Sequence, residues 1–148
     1  MTNRDINPNP RNTLKKVERL CHQRAFDMLY HAGTPVFVQG IRFLVRLVPK
    51  LSDEEHADFR AQVAFVVPKK YVRKAVQRNL LKRRMREVYR LKKNEFYTSL
   101  KNEEFYCHIS IIYLSRKEYS YKYLQSIFEK AFPLILNALR AQIILSDT

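Results

Sequence analysis

The sequence predicts a single α+β domain, with elements in the order α-β-β-β-α-β-α and a four-stranded sheet packed with helices. Three observations predict it. Apolar residues recur at helical spacing in residues 14–30, 75–93 and 121–144. Between these segments lie β-like apolar runs at residues 36–48, 63–67 and 106–114. The chain has 148 residues, 46% of them hydrophobic, which suits one compact core and excludes a wholly disordered polycation.

Residues 1–12 contain Pro8 and Pro10 and no periodicity, and are read as a flexible polar tail before a domain over residues 13–148. Residues 14–30 carry Leu14, Val17, Leu20, Cys21, Phe26, Leu29 and Tyr30, a pattern that predicts helix over much of the segment, ended at Gly33. Residues 36–48 predict two strands turning at Gln39-Gly40. Phe43, Val45 and Leu47 share one face of the second strand, and Arg42, Leu44 and Arg46 the other. Residues 51–62 read as an acidic connector through Asp53, Glu54, Glu55 and Asp58. An apolar strand over 63–67 closes at Pro68, and a helix follows over 75–93. Residues 106–114 predict the last strand, and residues 121–144 a helix that Pro133 is expected to kink or restart. One layer of helices on the sheet is expected.

Several function classes are excluded early. The only glycines are Gly33 and Gly40, so no Walker A or dinucleotide loop exists. No run of 18 apolar residues occurs, so no membrane partner is expected. The first twelve residues lack the apolar stretch of a secretory signal, and the expected compartment is the cytoplasm. Cys21-His22 and Cys107-His108 could supply four zinc ligands on paper. Adjacent residues in a β run point to opposite faces, however, and paired zinc ligands are usually two to four residues apart. No metal site is assigned, and both thiols are read as small buried groups. His22, His31, His56 and His108 form no relay, and Glu54-Glu55 and Glu103-Glu104 fall in connectors, so no catalytic residue is assigned.

Charge is the strongest signal. The formal net charge is +14, and it is concentrated: residues 69–93 hold twelve basic residues and one acid, Glu87. Residues 1–24 hold six basic and two acidic residues, and the remainder is nearly balanced. Such clustering implies a polyanionic partner. At 100° per residue from Val76, the residues Val76, Leu80, Leu81, Met85, Val88 and Leu91 fall within about 0–180°, the expected core side. Arg78, Asn79, Lys82, Arg83, Arg86, Arg90 and Lys93 fall within about 200–340°, a cationic stripe, with Arg84 the misfit near 80°. The stripe costs stability. Arg78/Lys82, Lys82/Arg86 and Arg86/Arg90 are like-charge i,i+4 pairs, and Lys69, Lys70, Arg73 and Lys74 crowd the positive end of the helix dipole. Bound phosphates would remove both penalties. A helix set between strands, rich in arginine and without zinc-finger spacing, favours RNA over DNA.

The run Val66-Val67-Pro68-Lys69-Lys70-Tyr71-Val72-Arg73-Lys74-Ala75-Val76-Gln77-Arg78-Asn79-Leu80-Leu81-Lys82-Arg83-Arg84-Met85-Arg86-Glu87-Val88-Tyr89-Arg90 closely resembles the signature of the bacterial ribonuclease P protein subunit family. Leu14-Lys15-Lys16-Val17-Glu18-Arg19-Leu20 with Phe26, Tyr30 and Gly33 resembles its upstream motif. The resemblance implies a four-stranded sheet with a left-handed βαβ crossover. It implies an accessory subunit of an endoribonuclease that removes the 5′ leader of precursor transfer RNA. The catalytic centre and its Mg²⁺ would belong to an RNA subunit, with no cofactor held by the protein. Carried over by position, Lys69, Lys70, Arg73, Arg78, Asn79, Lys82, Arg83, Arg86 and Arg90 would face the catalytic RNA. Phe26, Tyr30, Phe43, Val45 and Arg46 would line a cleft for the leader. The rival readings are a ribosomal or RNA-chaperone type of structured-RNA-binding protein, a self-sufficient nuclease and a DNA-binding protein. The spacing of the Lys-Lys, Arg-Asn, Lys-Arg and Arg-Glu pairs favours the ribonuclease P reading over the first.

Overall fold

The computed structural model describes residues 14–49 and 60–146. The tail over 1–12 and nearly all of the acidic connector lie outside the described residues.

The segment before the first helix departs from the expected helical path. Lys16–Glu18 makes a single 3-10 turn, Arg19 forms a parallel bridge with Val63, and the Leu20 N–H donates to the Val63 carbonyl at 2.9 Å. Pairing with an open sheet edge satisfies backbone groups that a helix would have satisfied internally. The helix proper, α1 (Gln23–Ala32), ends at Gly33, whose N–H donates to Leu29 at 2.8 Å. A Cβ at Gly33 would lie 2.4 Å from that carbonyl, so only glycine permits the approach.

Strands β1 (Thr34–Val38) and β2 (Ile41–Val48) pair antiparallel across Gln39 (φ 47°) and Gly40 (φ 88°). Two successive positive φ values match the right-handed strand twist, as in type I′ hairpins. β3 (Ala61–Val66) connects through α2 (Ala75–Asn102) to β4 (Tyr106–Tyr113), which lies parallel beside it. β4 also pairs antiparallel with β2, giving the order β1-β2-β4-β3.

The last element, α3 (Tyr121–Ser146), is one helix that contains Pro133, so the proline does not restart it. Pro133 and Glu129, the residue whose carbonyl loses its bond, are both exposed, and water can take up that carbonyl.

The helices do not form one layer. β2 is in contact with both α1 and α3, while α2 packs on β3 and α3. Alternation explains the two-sided arrangement. Val36, Val38, Ile41, Phe43, Val45, Val63, Ile109 and Ile111 belong to the main core with α2 and α3. Leu44 on the opposite face joins Leu20 and Leu29 in a smaller cluster, flanked by Ala25, Phe26 and Ala64.

Candidate nucleic-acid interface

After β3 the chain turns tightly. The Tyr71 and Val72 N–H groups both donate to the Pro68 carbonyl at 3.1 Å, and Val72 is buried. Lys69, Lys70 and Arg73 are exposed on this turn. Lys74 stands at the N-cap of α2 without a side-chain capping bond, and the first turn contains no acid. The positive helix end and these cations therefore reinforce one another. Arg78 fastens the turn to the helix: its Nη1 donates to the carbonyls of Val72 at 3.0 Å and Arg73 at 2.6 Å.

The buried arc of α2 is rotated from the expected one. Leu81, Met85, Val88, Tyr89 and Phe96 are buried and span about 120–220° on the wheel. Val76, expected on the core side, is 81% exposed, and Leu91 is also exposed. The large side chains of the C-terminal half set the face that packs. The helix has 28 residues, about 42 Å at about 1.5 Å per residue, against about 20 Å for the six residues of β3, so one end overhangs the sheet. Asn79, Arg83, Arg86 and Arg90 occupy about 280–340°, away from the core, while Arg78 and Lys82 sit half-buried at about 200–240°.

Ion pairing divides α2. Lys69, Lys70, Arg73, Lys82, Arg83 and Arg86 form no ion pair among the described residues. Further along, Arg90, Lys92 and Lys93 are matched within the protein. Arg90 bonds Glu87 at 2.6 Å, and this hydrogen bond holds the Glu87 carboxyl below its ordinary range. Lys92 meets Glu129 at 2.6 Å. Lys93, expected on the open stripe, is instead buried against Glu18 at 2.8 Å, because the 3-10 turn brings that carboxylate to the helix. Arg84 reaches the β4–α3 connection, donating to the Tyr119 carbonyl at 2.8 Å and meeting Glu118 at 3.5 Å.

The five cleft residues do not converge. Phe43 and Val45 are fully buried in the main core, with the Phe43 ring edge-on to Phe128 at 5.4 Å. They cannot line a cleft beneath α1, because the two-residue period of β2 turns them to the α3 side. Arg42, Leu44 and Arg46 occupy the α1 side. Phe26 packs half-buried against the small Leu20–Leu29–Leu44 cluster, and Tyr30, one turn on, is 52% exposed. Arg46 instead lines an open depression of about 490 Å³ with His22, Arg24, Ala25 and Met28. Arg24 and Met28 lie two residues before Phe26 and Tyr30, about 200° around the helix, so Arg46 stands on the opposite flank of α1.

Cys21 is exposed and only Cys107 is buried, where burial pushes its thiol pKa up. Among the described residues no group of three or more His, Cys, Asp or Glu could hold a metal ion. No helix among them is long and apolar enough to cross a membrane.

The family model for Ribonuclease P matches residues 14–135. The chain belongs to the ribonuclease P protein family. A ribonuclease P protein component of Porphyromonas gingivalis is 30% identical over 118 residues, covering 80% of this chain and 82% of that protein. One from Chlorobium phaeobacteroides is 34% identical over 87 residues, 59% of this chain and 58% of its own. The ribonuclease P protein of Staphylococcus aureus has the same fold: the TM-score is 0.58 over 79% of this chain and 94% of that one, at 19% identity.

The span matched to the ribonuclease P family includes all of α1 and α2 and ends inside α3. On the α1 face, Phe37 escaped the reading of the sequence, and Arg42 was placed there without a role. Phe37 is 63% exposed and pairs across the hairpin with Arg42. Strand alternation held the signal, since Val36 and Val38 point inward and leave the aromatic between them outside.

Proposed function

We propose that this chain is the protein subunit of a bacterial ribonuclease P, which binds the catalytic RNA and the 5′ leader of precursor transfer RNA and promotes endonucleolytic removal of the leader in the cytoplasm. The observation that carries this reading is the division of α2: among the described residues, cations before Glu87 lack internal carboxylate partners apart from Arg84, whereas Arg90, Lys92 and Lys93 after it are matched.

Lys69, Lys70, Arg73, Asn79, Lys82, Arg83, Arg86 and Arg90 face the catalytic RNA in this reading, and Arg78 shapes the turn that presents them. Forked guanidinium contacts to phosphates fix orientation, and the uncapped N-terminus of α2 adds amide donors. The leader passes along the flank of α1 formed by Phe26 and Tyr30, with Phe37 and Arg42 on the strands beside it. A base stacked on such an aromatic contributes about 1–3 kcal/mol. The protein thus lowers repulsion between two polyanions and holds the strand to be cut.

The reaction is hydrolysis of a phosphodiester. Mg²⁺ is assigned to the RNA subunit, because the α2 face offers cations where a hard metal ion needs oxygen ligands. No residue of this chain is given a catalytic role, and no membrane or DNA partner is invoked.

Reconstitution tests the reading. The chain mixed with a bacterial ribonuclease P RNA at low Mg²⁺ should stimulate leader cleavage. Tight binding without stimulation would instead indicate a non-enzymatic structured-RNA-binding protein. Cleavage by the chain alone would move the catalytic centre into the protein.

A further inference from the structure

The β1–β2 hairpin stands at one edge of the sheet, where β1 is paired with β2 alone. Its tip is held by the connection between β4 and α3. The Tyr119 hydroxyl donates to the Gln39 carbonyl at 2.9 Å, and the Leu114 N–H donates to the Gly40 carbonyl at 2.8 Å. A Cβ at Gly40 would stand 2.5 Å from the Tyr119 hydroxyl oxygen, so glycine is what admits that side chain.

Tyr119 is itself fixed from two directions. Its N–H donates to the hydroxyl oxygen of Tyr113, at the end of β4, at 2.9 Å, and the two rings lie 5.2 Å apart. Its carbonyl accepts the guanidinium of Arg84 from α2 at 2.8 Å, and Arg84 also meets Glu118 at 3.5 Å. Arg84 is the cation of α2 that the reading above leaves without a role. A short run of hydrogen bonds thus leads from α2 through Tyr119 to the hairpin tip. Phe37 stands two residues from Gln39, about 7 Å along β1, and pairs with Arg42.

We propose that Arg84 and Tyr119 are positioning residues for the leader: they brace the hairpin tip against α2 and so fix where Phe37 stands relative to the RNA-bound helix. The inference rests on the function proposed above, and neither side chain touches RNA in it. The catalytic RNA holds the protein through α2, so the path from the scissile bond to Phe37 runs through whatever joins α2 to the hairpin. The sheet joins them indirectly, by way of β3, β4 and β2. The brace joins them directly, and hydrogen bonds are directional, so they define a separation that apolar contact leaves looser. A strand held in register gains affinity only while its stacking partner stays in place.

The test uses the full chain reconstituted with a bacterial ribonuclease P RNA, and precursors with a ten-nucleotide or a one-nucleotide leader. Tyr119→Phe removes only the hydroxyl. It should raise KM for the long-leader precursor about fivefold, the worth of one hydrogen bond. KM for the short-leader precursor, kcat and the affinity of the chain for the catalytic RNA should stay at wild-type values. Arg84→Met keeps the aliphatic stem and should act the same way, with no change in the salt dependence of assembly. A salt slope flattened by about 1 would make Arg84 a phosphate contact and overturn its positioning role. In a Phe37→Ala background, Tyr119→Phe should have no further effect. An undiminished effect there, equal KM rises for both precursors, wild-type KM in Phe37→Ala, or wild-type kinetics in Tyr119→Phe each overturns the brace and leaves the ribonuclease P reading intact. Should Arg84→Met fail to fold, Tyr119→Phe alone decides. A wild-type chain that does not stimulate cleavage overturns both.

Discussion

Lys93 and Glu18 are each 3% exposed at the side chain and lie 75 residues apart in the chain. Nζ donates to both carboxylate oxygens at 2.8 Å, and Oε2 also accepts the Lys15 N–H at 2.6 Å. Burial still holds the Lys93 pKa below its ordinary value, with the Glu18 bond only partly opposing it. Desolvation therefore outweighs attraction, and the pair serves to fix the N-terminal segment against α2 rather than to add net stability. Glu18→Gln or Lys93→Met alone should cost about 3–5 kcal/mol in urea unfolding, because each strands a buried partner. Glu18→Leu combined with Lys93→Met should recover most of that loss. Single variants within about 1 kcal/mol of wild type would mean the pair is hydrated in solution. His108 gives a pH-dependent counterpart. Burial, and then repulsion from Arg46, lowers its pKa below 6.5. The unfolded chain accepts a proton near 6.5 that the folded chain refuses, so stability is full above about pH 6.5 and falls below it. Melting temperatures at pH 7.5 and 5.5 should differ less in His108→Gln than in wild type. Parallel shifts in the two proteins would remove His108 from that account.

α2 carries two kinds of cation, and they should respond to substitution with opposite signs. Lys82, Arg83 and Arg86 have no carboxylate partner among the described residues, and each like-charge i,i+4 pair destabilises the helix by about 0.2–0.5 kcal/mol. Alanine at all three should leave the melting temperature unchanged or raised while RNA binding weakens and its salt slope flattens by about one per lost phosphate contact. Arg78→Ala should cost about 1 kcal/mol or more, because its bonds to the Val72 and Arg73 carbonyls hold the turn closed. Loss of stability in the triple variant would show that the stripe is structural. The amphipathic character of this helix was legible in the sequence, since residues 69–93 hold a lone acid among twelve bases. Its azimuth was not. A helix ended at Lys93 omits Phe96, Tyr97 and Leu100, and those buried side chains turn the packed face toward Tyr89 and Lys93 and away from Val76 and Leu91.

Across the whole molecule, local patterns were readable and long-range placement was not. Element order and the alternation of β2 follow from neighbouring residues, so Arg42, Leu44 and Arg46 separate from Phe43 and Val45 on inspection. Which face α1 would cover depends on Leu20, Leu29 and Leu44 meeting across distant segments, and both faces of β2 carry apolar residues that could have received it. Phe43 and Val45 were misplaced for that reason. The net charge of +14, by contrast, needs no topology to yield a prediction. Exposed cations within about 10 Å of one another repel, and salt near 0.1 M screens that repulsion. The free protein should therefore gain thermal stability as salt rises from 50 to 200 mM. Over the same range its affinity for RNA should fall by about 10³–10⁵ if six to ten phosphates are contacted. The two trends share one cause, the unmatched charge around the first half of α2, and they must appear together. A free protein whose melting temperature drops over that range would have those cations held by attractive pairs of its own, and RNA would then have little repulsion to relieve.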